Sequence, residues 1–150
     1  MTLANCRRVL LAISTGLWLA VPWSASLWLA GCGADGRYVV ICTMNASSAS
    51  GTIEVDKLDA SNTQVAIHLE FLHAPSRVSE NLSRYLVWFI PAEGSPVLSG
   101  PLKYNSEQRT GDFTATSPFR RFGVKITAER DEHPKAPSEH VIATQEIKLD

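Results

Sequence analysis

Beyond Gly51 apolar and polar residues alternate with period two, the pattern of strands that bury one face and wet the other. In 52–58, Ile53 and Val55 alternate with Glu54 and Asp56. In 63–72, Val65, Ile67, Leu69 and Phe71 share one face, opposite Gln64, His68 and Glu70. The stretch 84–90 departs from this, because Leu86, Trp88 and Ile90 are as apolar as Tyr85, Val87 and Phe89. A strand apolar on both faces should be central and covered on both sides. Residues 91–96 then supply a turn through two prolines and a glycine. A short strand over 97–104 is interrupted by Gly100-Pro101, and 105–111 reads as a polar hairpin-like loop. Another short strand covers 112–116. Alternation returns over 119–129, with Phe122, Val124, Ile126 and Ala128 opposite Arg121, Lys125 and Thr127. Two prolines and five charged residues make 130–139 a solvated loop, and 140–149 closes with Val141, Ala143, Ile147 and Leu149 on one side. Only 74–84 hints at a helical turn, started by Pro75 and Ser76. About seven short strands at regular spacing predict an all-β fold, an antiparallel immunoglobulin-like sandwich over 52–150.

The beginning of the chain follows a different rule. Residues 1–8 carry Arg7 and Arg8 and no acid, and an apolar run broken by small residues, Pro22 and three tryptophans follows. A positive start, an apolar stretch and then small residues are the marks of an export signal. The run ends in Leu29-Ala30-Gly31-Cys32, which resembles the lipobox of bacterial lipoproteins. That resemblance implies a signal peptide over 1–31, cleavage before Cys32, and a diacylglyceryl thioether on that cysteine, usually with an N-acyl chain such as palmitate. Two or more acyl chains make a lasting anchor where one does not. Membrane lipid through Cys32 is therefore the first expected partner, and the expected place is extracytoplasmic and lipid-anchored at the cell membrane. Gly33 stands where an Asp favours inner-membrane retention, which points to the periplasmic face of the outer membrane if the organism has one. Two other readings stay open. Val9 to Ala30 is long enough for an uncleaved membrane helix, against which stand Pro22 and Ser24. A cut after Ser24-Ala25-Ser26 by the non-lipid peptidase is the other.

Residues 32–51 read as the lipid-anchored linker. Ala46 to Gly51 is small and uncharged, the composition of a flexible tether. The apolar run 38–43 is unusual for a tether and is a candidate short peripheral strand. Cys6 leaves with the leader and Cys32 takes lipid, so Cys42 has no intramolecular partner and no disulfide framework exists. It reads as a small apolar residue, or else as an exposed thiol.

Charge excludes one class of partner. The chain's formal net charge is −1, and loss of Arg7 and Arg8 makes it −3. Such a domain exerts no pull on phosphate backbones, so nucleic acid is not expected. No cofactor is expected either. His68, His73, His133 and His140 match no zinc spacing and read as solvated. No Gly-x-Ser-x-Gly elbow or glycine-rich phosphate loop occurs. The carboxylate pairs Glu54/Asp56 and Asp131/Glu132 read as solvated, so no catalytic residue is assigned. Trp88 reads as a core tryptophan, with an aromatic platform for a sugar or peptide as the alternative. Arg120, Arg121, Lys125 and Arg130 read as wet strand positions, or else as a basic edge facing lipid headgroups.

Three stretches, Tyr85 to Pro91, Gly100-Pro101-Leu102, and Phe122 to Glu129 with Ala136-Pro137-Ser138, resemble the extracytoplasmic β-sandwich of anti-sigma-K-type regulators. The resemblance covers roughly 52–150 and implies fold and compartment. Only eight residues precede the apolar run, so sigma-factor inhibition is not carried over. The expected function is a non-catalytic binding, sensing or scaffold module of the cell envelope with an envelope protein as partner. An envelope hydrolase with an unrecognised site, or an extracytoplasmic part of an anti-sigma-type system, are the alternatives.

Overall fold

The computed structural model of the protein describes residues 36–42 and 48–149. Within the described residues nine strands follow one another: β1 Gly36–Ile41, β2 Ser50–Lys57, β3 Thr63–Glu70, β4 Arg84–Pro91, β5 Val97–Pro101, β6 Lys103–Asn105, β7 Thr110–Ser117, β8 Arg121–Glu129 and β9 Val141–Lys148. Among the described residues a 3₁₀ turn at Pro75–Arg77 occupies the place where the sequence predicts a helical turn. One sheet has the order β1-β2-β3-β7-β6 and the other β5-β4-β8-β9. Every pairing is antiparallel. With β2 to β9 lettered A, B, C, C′, D, E, F and G, the sheets read ABED and C′CFG, the immunoglobulin-like arrangement, with β1 added beside A. Among the described residues no helix is long and apolar enough to cross a membrane.

The two strands beyond the expected seven have physical causes. Of the candidate strand 38–43, residues 38–41 do enter a strand, β1, which pairs with β2 along its whole length and places Arg37 opposite Glu54 at 3.3 Å, while residue 43 lies outside the described residues. The tether composition of 46–51 therefore misleads in its second half, where Ala49 is buried and Ser50-Gly51 opens β2. Gly51 lies so close to β3 that a Cβ there would fall 2.0 Å from the His68 carbonyl oxygen. The small residues serve close packing of two strands rather than freedom. The second extra strand arises at Gly100-Pro101. Gly100 adopts φ 147°, and the chain leaves one sheet after Pro101, ties Leu102 N–H to the Tyr85 carbonyl at 3.0 Å, and continues as β6 in the other.

The core between the sheets is filled by the inward residues the alternation names: Ile53 and Val55, Val65, Ile67 and Leu69, and Phe122, Val124, Ile126 and Ala128. Strand β4 is central, between β5 and β8. Its Tyr85, Val87 and Phe89 join the core, while Leu86 and Trp88 are buried on the other face of the sheet. That outer layer overturns the wet reading of one β8 position. Thr127 is fully buried beside Trp88, and Glu129 is buried with it. The indole N–H of Trp88 donates to Thr127 Oγ1 at 2.9 Å, whose hydroxyl donates to Glu129 Oε1 at 2.6 Å. Ser138 N–H donates to the same carboxylate oxygen at 2.9 Å, and its hydroxyl donates to the Ala128 carbonyl at 3.1 Å. The loop after β8, read as wholly solvated, is thus pinned back at Ser138. A bulge in the β8–β9 pairing likewise shifts β9 so that Ile142 is fully buried and Val141 only half-buried.

The registers give the sandwich two ends. Gly36, the β2–β3 turn, Pro91, Arg121 and Lys148 lie at one, where Arg120 donates to the Ala60 carbonyl at 2.7 Å and Tyr38 Oη to the Lys148 carbonyl at 3.3 Å. The segments 71–83 and 106–109 and the loop after β8 lie at the other.

Candidate functional site

The alternation places Phe71 in the core with Leu69, yet it is 56% exposed. Phe71 turns into the left-handed region at φ 57°, and Leu72 takes the buried position instead. Arg109, at the foot of β7, has the same φ of 57°. Left-handed backbone costs a residue with a Cβ about 1–2 kcal/mol, and a bulky aromatic there is a true outlier. The two residues are clasped together. Leu72 N–H donates to the Arg109 carbonyl at 2.8 Å, and Arg109 Nη2 donates to the Phe71 carbonyl at 3.0 Å. Strain held in this way by surrounding structure is characteristic of functional surfaces.

Two tyrosines fix the segment that follows. Tyr85 Oη donates to the His73 carbonyl at 2.7 Å, and Tyr104 Oη to the Leu72 carbonyl at 3.3 Å. Their rings meet edge to face with centroids 5.9 Å apart. Burial pushes the Tyr85 phenol far above its ordinary range, which keeps it a neutral donor. Opposite, Asn105 Oδ1 accepts from the N–H groups of Glu107 and Gln108 at 3.0 Å and shapes the turn that carries Arg109. Between the two segments lies a depression of about 390 Å³ lined by His73, Ala74, Arg77, Tyr104, Ser106 and Arg109. Three of these side chains are basic and none is acidic. Among the described residues neither Arg77 nor Arg109 forms an ion pair.

The arrangement around His73 fixes which of its neighbours donate to it. Ser48 Oγ lies 3.4 Å from His73 Nδ1, which by proximity alone suggests a nucleophile and its base. Arg109 Nη2 lies 3.3 Å from Nε2, and a guanidinium can only donate. Nε2 must then accept, which puts the ring proton on Nδ1 and makes it a donor to Ser48. The serine hydroxyl is left to donate to the Phe71 carbonyl at 3.4 Å. A base that has already spent its lone pair on an arginine cannot take a proton from serine.

The remaining sites read from the sequence are scattered. The leader, the lipobox and Cys32 lie outside the described residues. Cys42 is 7% exposed, and burial raises its thiol above the usual range, so it is an unreactive packing residue. Trp88 is 1% exposed and cannot act as an open platform. His68 stands on the outer face of the first sheet, with Nδ1 2.6 Å from Asp112 Oδ1 and Nε2 3.7 Å from Glu70 Oε1. The Asp112 hydrogen bond raises its pKa. Among the described residues no group of three His, Cys, Asp or Glu is placed to hold a metal. His133 is exposed and His140 half-buried on the loop after β8. The four basic residues near β8 do not form one edge. Arg120 is bonded to the neighbouring turn, while Arg130 lies beyond the far end of β8, about 30 Å along the strand from Arg121. Arg121 and Lys125 instead rim a shallow depression of about 440 Å³ over Ile90, Gly123 and Ile147.

Sequence reasoning missed Phe71, Arg109 and Glu129. One signal was present. Leu69, Phe71 and Leu72 cannot all point inward on a regular strand, so the pattern marks 71–72 as a place where one apolar residue must stay out, without saying which. No family model matches the chain, and neither a curated protein nor a solved structure is significantly similar to it.

Proposed function

We propose that this chain is a lipid-anchored protein of the cell envelope, a non-catalytic binding module that presents the end of its sandwich carrying Phe71 and Arg109 to a partner. The observation that carries this reading is the position of Leu29-Ala30-Gly31-Cys32, three residues ahead of β1. An extended chain advances at most about 3.6 Å per residue, so the anchor cysteine stands within about 14 Å of Gly36. Strands β2 and β3, which meet at that end, are each eight residues long and carry the other end about 26 Å further. A lipid at Cys32 therefore holds one end of the sandwich near the bilayer and directs the strained, basic end outward. A donor-saturated histidine and a serine without a base at that end support recognition over turnover.

The test is acylation at one atom. The chain is expressed in a bacterial host with a labelled fatty acid, and its N-terminal peptide is read by mass spectrometry beside the Cys32→Ser variant. The expected wild-type peptide begins at Cys32, carries acyl mass and partitions into detergent, while the variant takes no label and keeps its leader. Processing of the variant at the same bond with unchanged partition would refute the anchor, as would a wild-type peptide beginning at residue 27.

A further inference from the structure

We infer that the depression between His73, Arg77, Ser106 and Arg109 is a binding site for an oxyanion, a phosphate, sulfate or carboxylate group carried by a ligand or partner. The inference deepens the binding-module reading by naming what the outward end recognises, and it rests on that reading.

Charge is the first argument. The described domain belongs to a chain whose formal net charge is −1, so its surface gives anions no general attraction. Within this depression the sign reverses, since Arg77 and Arg109 line it and no carboxylate does. Among the described residues Arg77 has no ion-pair partner although it is exposed, and its mount is firm. It closes the 3₁₀ turn begun by Pro75, whose ring is buried and fixes the backbone angle there.

Geometry is the second argument. Arg109 is oriented before any ligand arrives, because Nη2 is engaged by the Phe71 carbonyl and His73 Nε2. Its Nε and Nη1 hydrogens remain as separate donors to an oxyanion, and its fixed positive charge attracts carboxylate, phosphate and sulfate alike. Ser106 adds a hydroxyl at the rim. Pre-orientation also gives a role to the left-handed backbone of Arg109, a position that glycine would occupy without strain. An arginine kept there supplies a group that glycine cannot.

The experiment is a calorimetric titration of the full-length chain in detergent with inorganic phosphate, sulfate or acetate, at constant ionic strength balanced with chloride. Saturable binding of at least one oxyanion is expected for the wild type, with Arg77→Gln and Arg109→Gln each weakening it at least tenfold. Phosphate and sulfate binding without acetate identifies a tetrahedral oxyanion, and the reverse order a carboxylate. Arg109→Gly separates recognition from structure. It should lose the anion by the same factor while its unfolding temperature stays level or rises, because the strained backbone relaxes. A wild type that shows no saturable heat, or variants that bind as it does, overturns the site. Cys32→Ser keeps the two proposals apart. Anion binding that persists in a variant without acyl label is expected, whereas acylation with no anion response sinks the oxyanion site alone.

Discussion

Removing the side chain of Trp88 tests whether the outer face of the β4 sheet is a covered layer or a ligand platform. The indole is 1% exposed, lies across β4 from the main core, and starts a chain of hydrogen bonds through Thr127 to Glu129. Trp88→Ala leaves a cavity in a packed layer, and such truncations cost about 3–5 kcal/mol. The lost N–H bond is the smaller part. Thr127 keeps its own donation to Glu129 and only gives up an accepted hydrogen, worth about 0.5–1.5 kcal/mol net. Trp88→Phe removes that bond and one ring, so about 1–3 kcal/mol is expected. Against a total of about 5–15 kcal/mol for a domain, the alanine variant should lose a large share of its stability. Of the four tryptophans, at 18, 23, 28 and 88, only Trp88 remains in a soluble form starting at residue 33. Its fluorescence therefore follows urea unfolding and reports the side chain's own exposure. The reasoning fails if Trp88→Ala costs less than about 1 kcal/mol, or if iodide quenches the native indole as readily as the unfolded one.

Three further outcomes follow from the packing and the charges. Gly51→Ala should cost about 3 kcal/mol or more in urea unfolding, because the new Cβ meets the His68 carbonyl and Leu69 Cα, which are backbone and cannot yield. Glu129→Ala should cost about 2–4 kcal/mol by leaving Thr127 O–H and Ser138 N–H without an acceptor, while Glu129→Gln, which keeps a carbonyl oxygen, should cost under about 1 kcal/mol. His68 binds its proton more tightly folded than unfolded, chiefly through Asp112, so its contribution is full below the ordinary histidine pKa and is lost as pH rises through the raised one. The stability gap between wild type and Asp112→Asn should therefore be wider at pH 5.5 than at pH 8.5, and an equal gap would remove the pair from the account.

The fold was legible wherever one face of a strand is wet. Ile53, Val55, Val65, Ile67 and Leu69 obey period two because their neighbours must meet water, and a one-residue slip would expose them all. The doubly apolar 84–90 was legible for the complementary reason, since Leu86 and Trp88 need cover of their own. What misled was composition read without partners. Gly51 and Ala49 look like linker residues because smallness serves freedom and close approach equally, and only the neighbouring strand tells which. Thr127 and Glu129 look wet because polar residues usually are. Their burial depends on Ser138, nine residues beyond Glu129, folding back to supply a donor.

The site was less legible than the fold, and the cause lies in what assembles it. His73, Arg77 and Arg109 come from segments more than thirty residues apart, brought together by the β3–β7 pairing and by two backbone conformations that side-chain patterning does not encode. A left-handed Phe71 reverses which of two adjacent apolar residues is buried, and so moves a phenylalanine from core to surface without changing a letter of the pattern. The same turn aims the Phe71 carbonyl at Arg109, which orients the guanidinium. Strain, exposure and charge at this end of the sandwich thus share one backbone feature. A glycine at position 71 would hold the same left-handed turn without strain and leave the carbonyl aimed at Arg109, but would remove the exposed ring. That coupling is why the basic depression and the exposed aromatic belong to one surface rather than two.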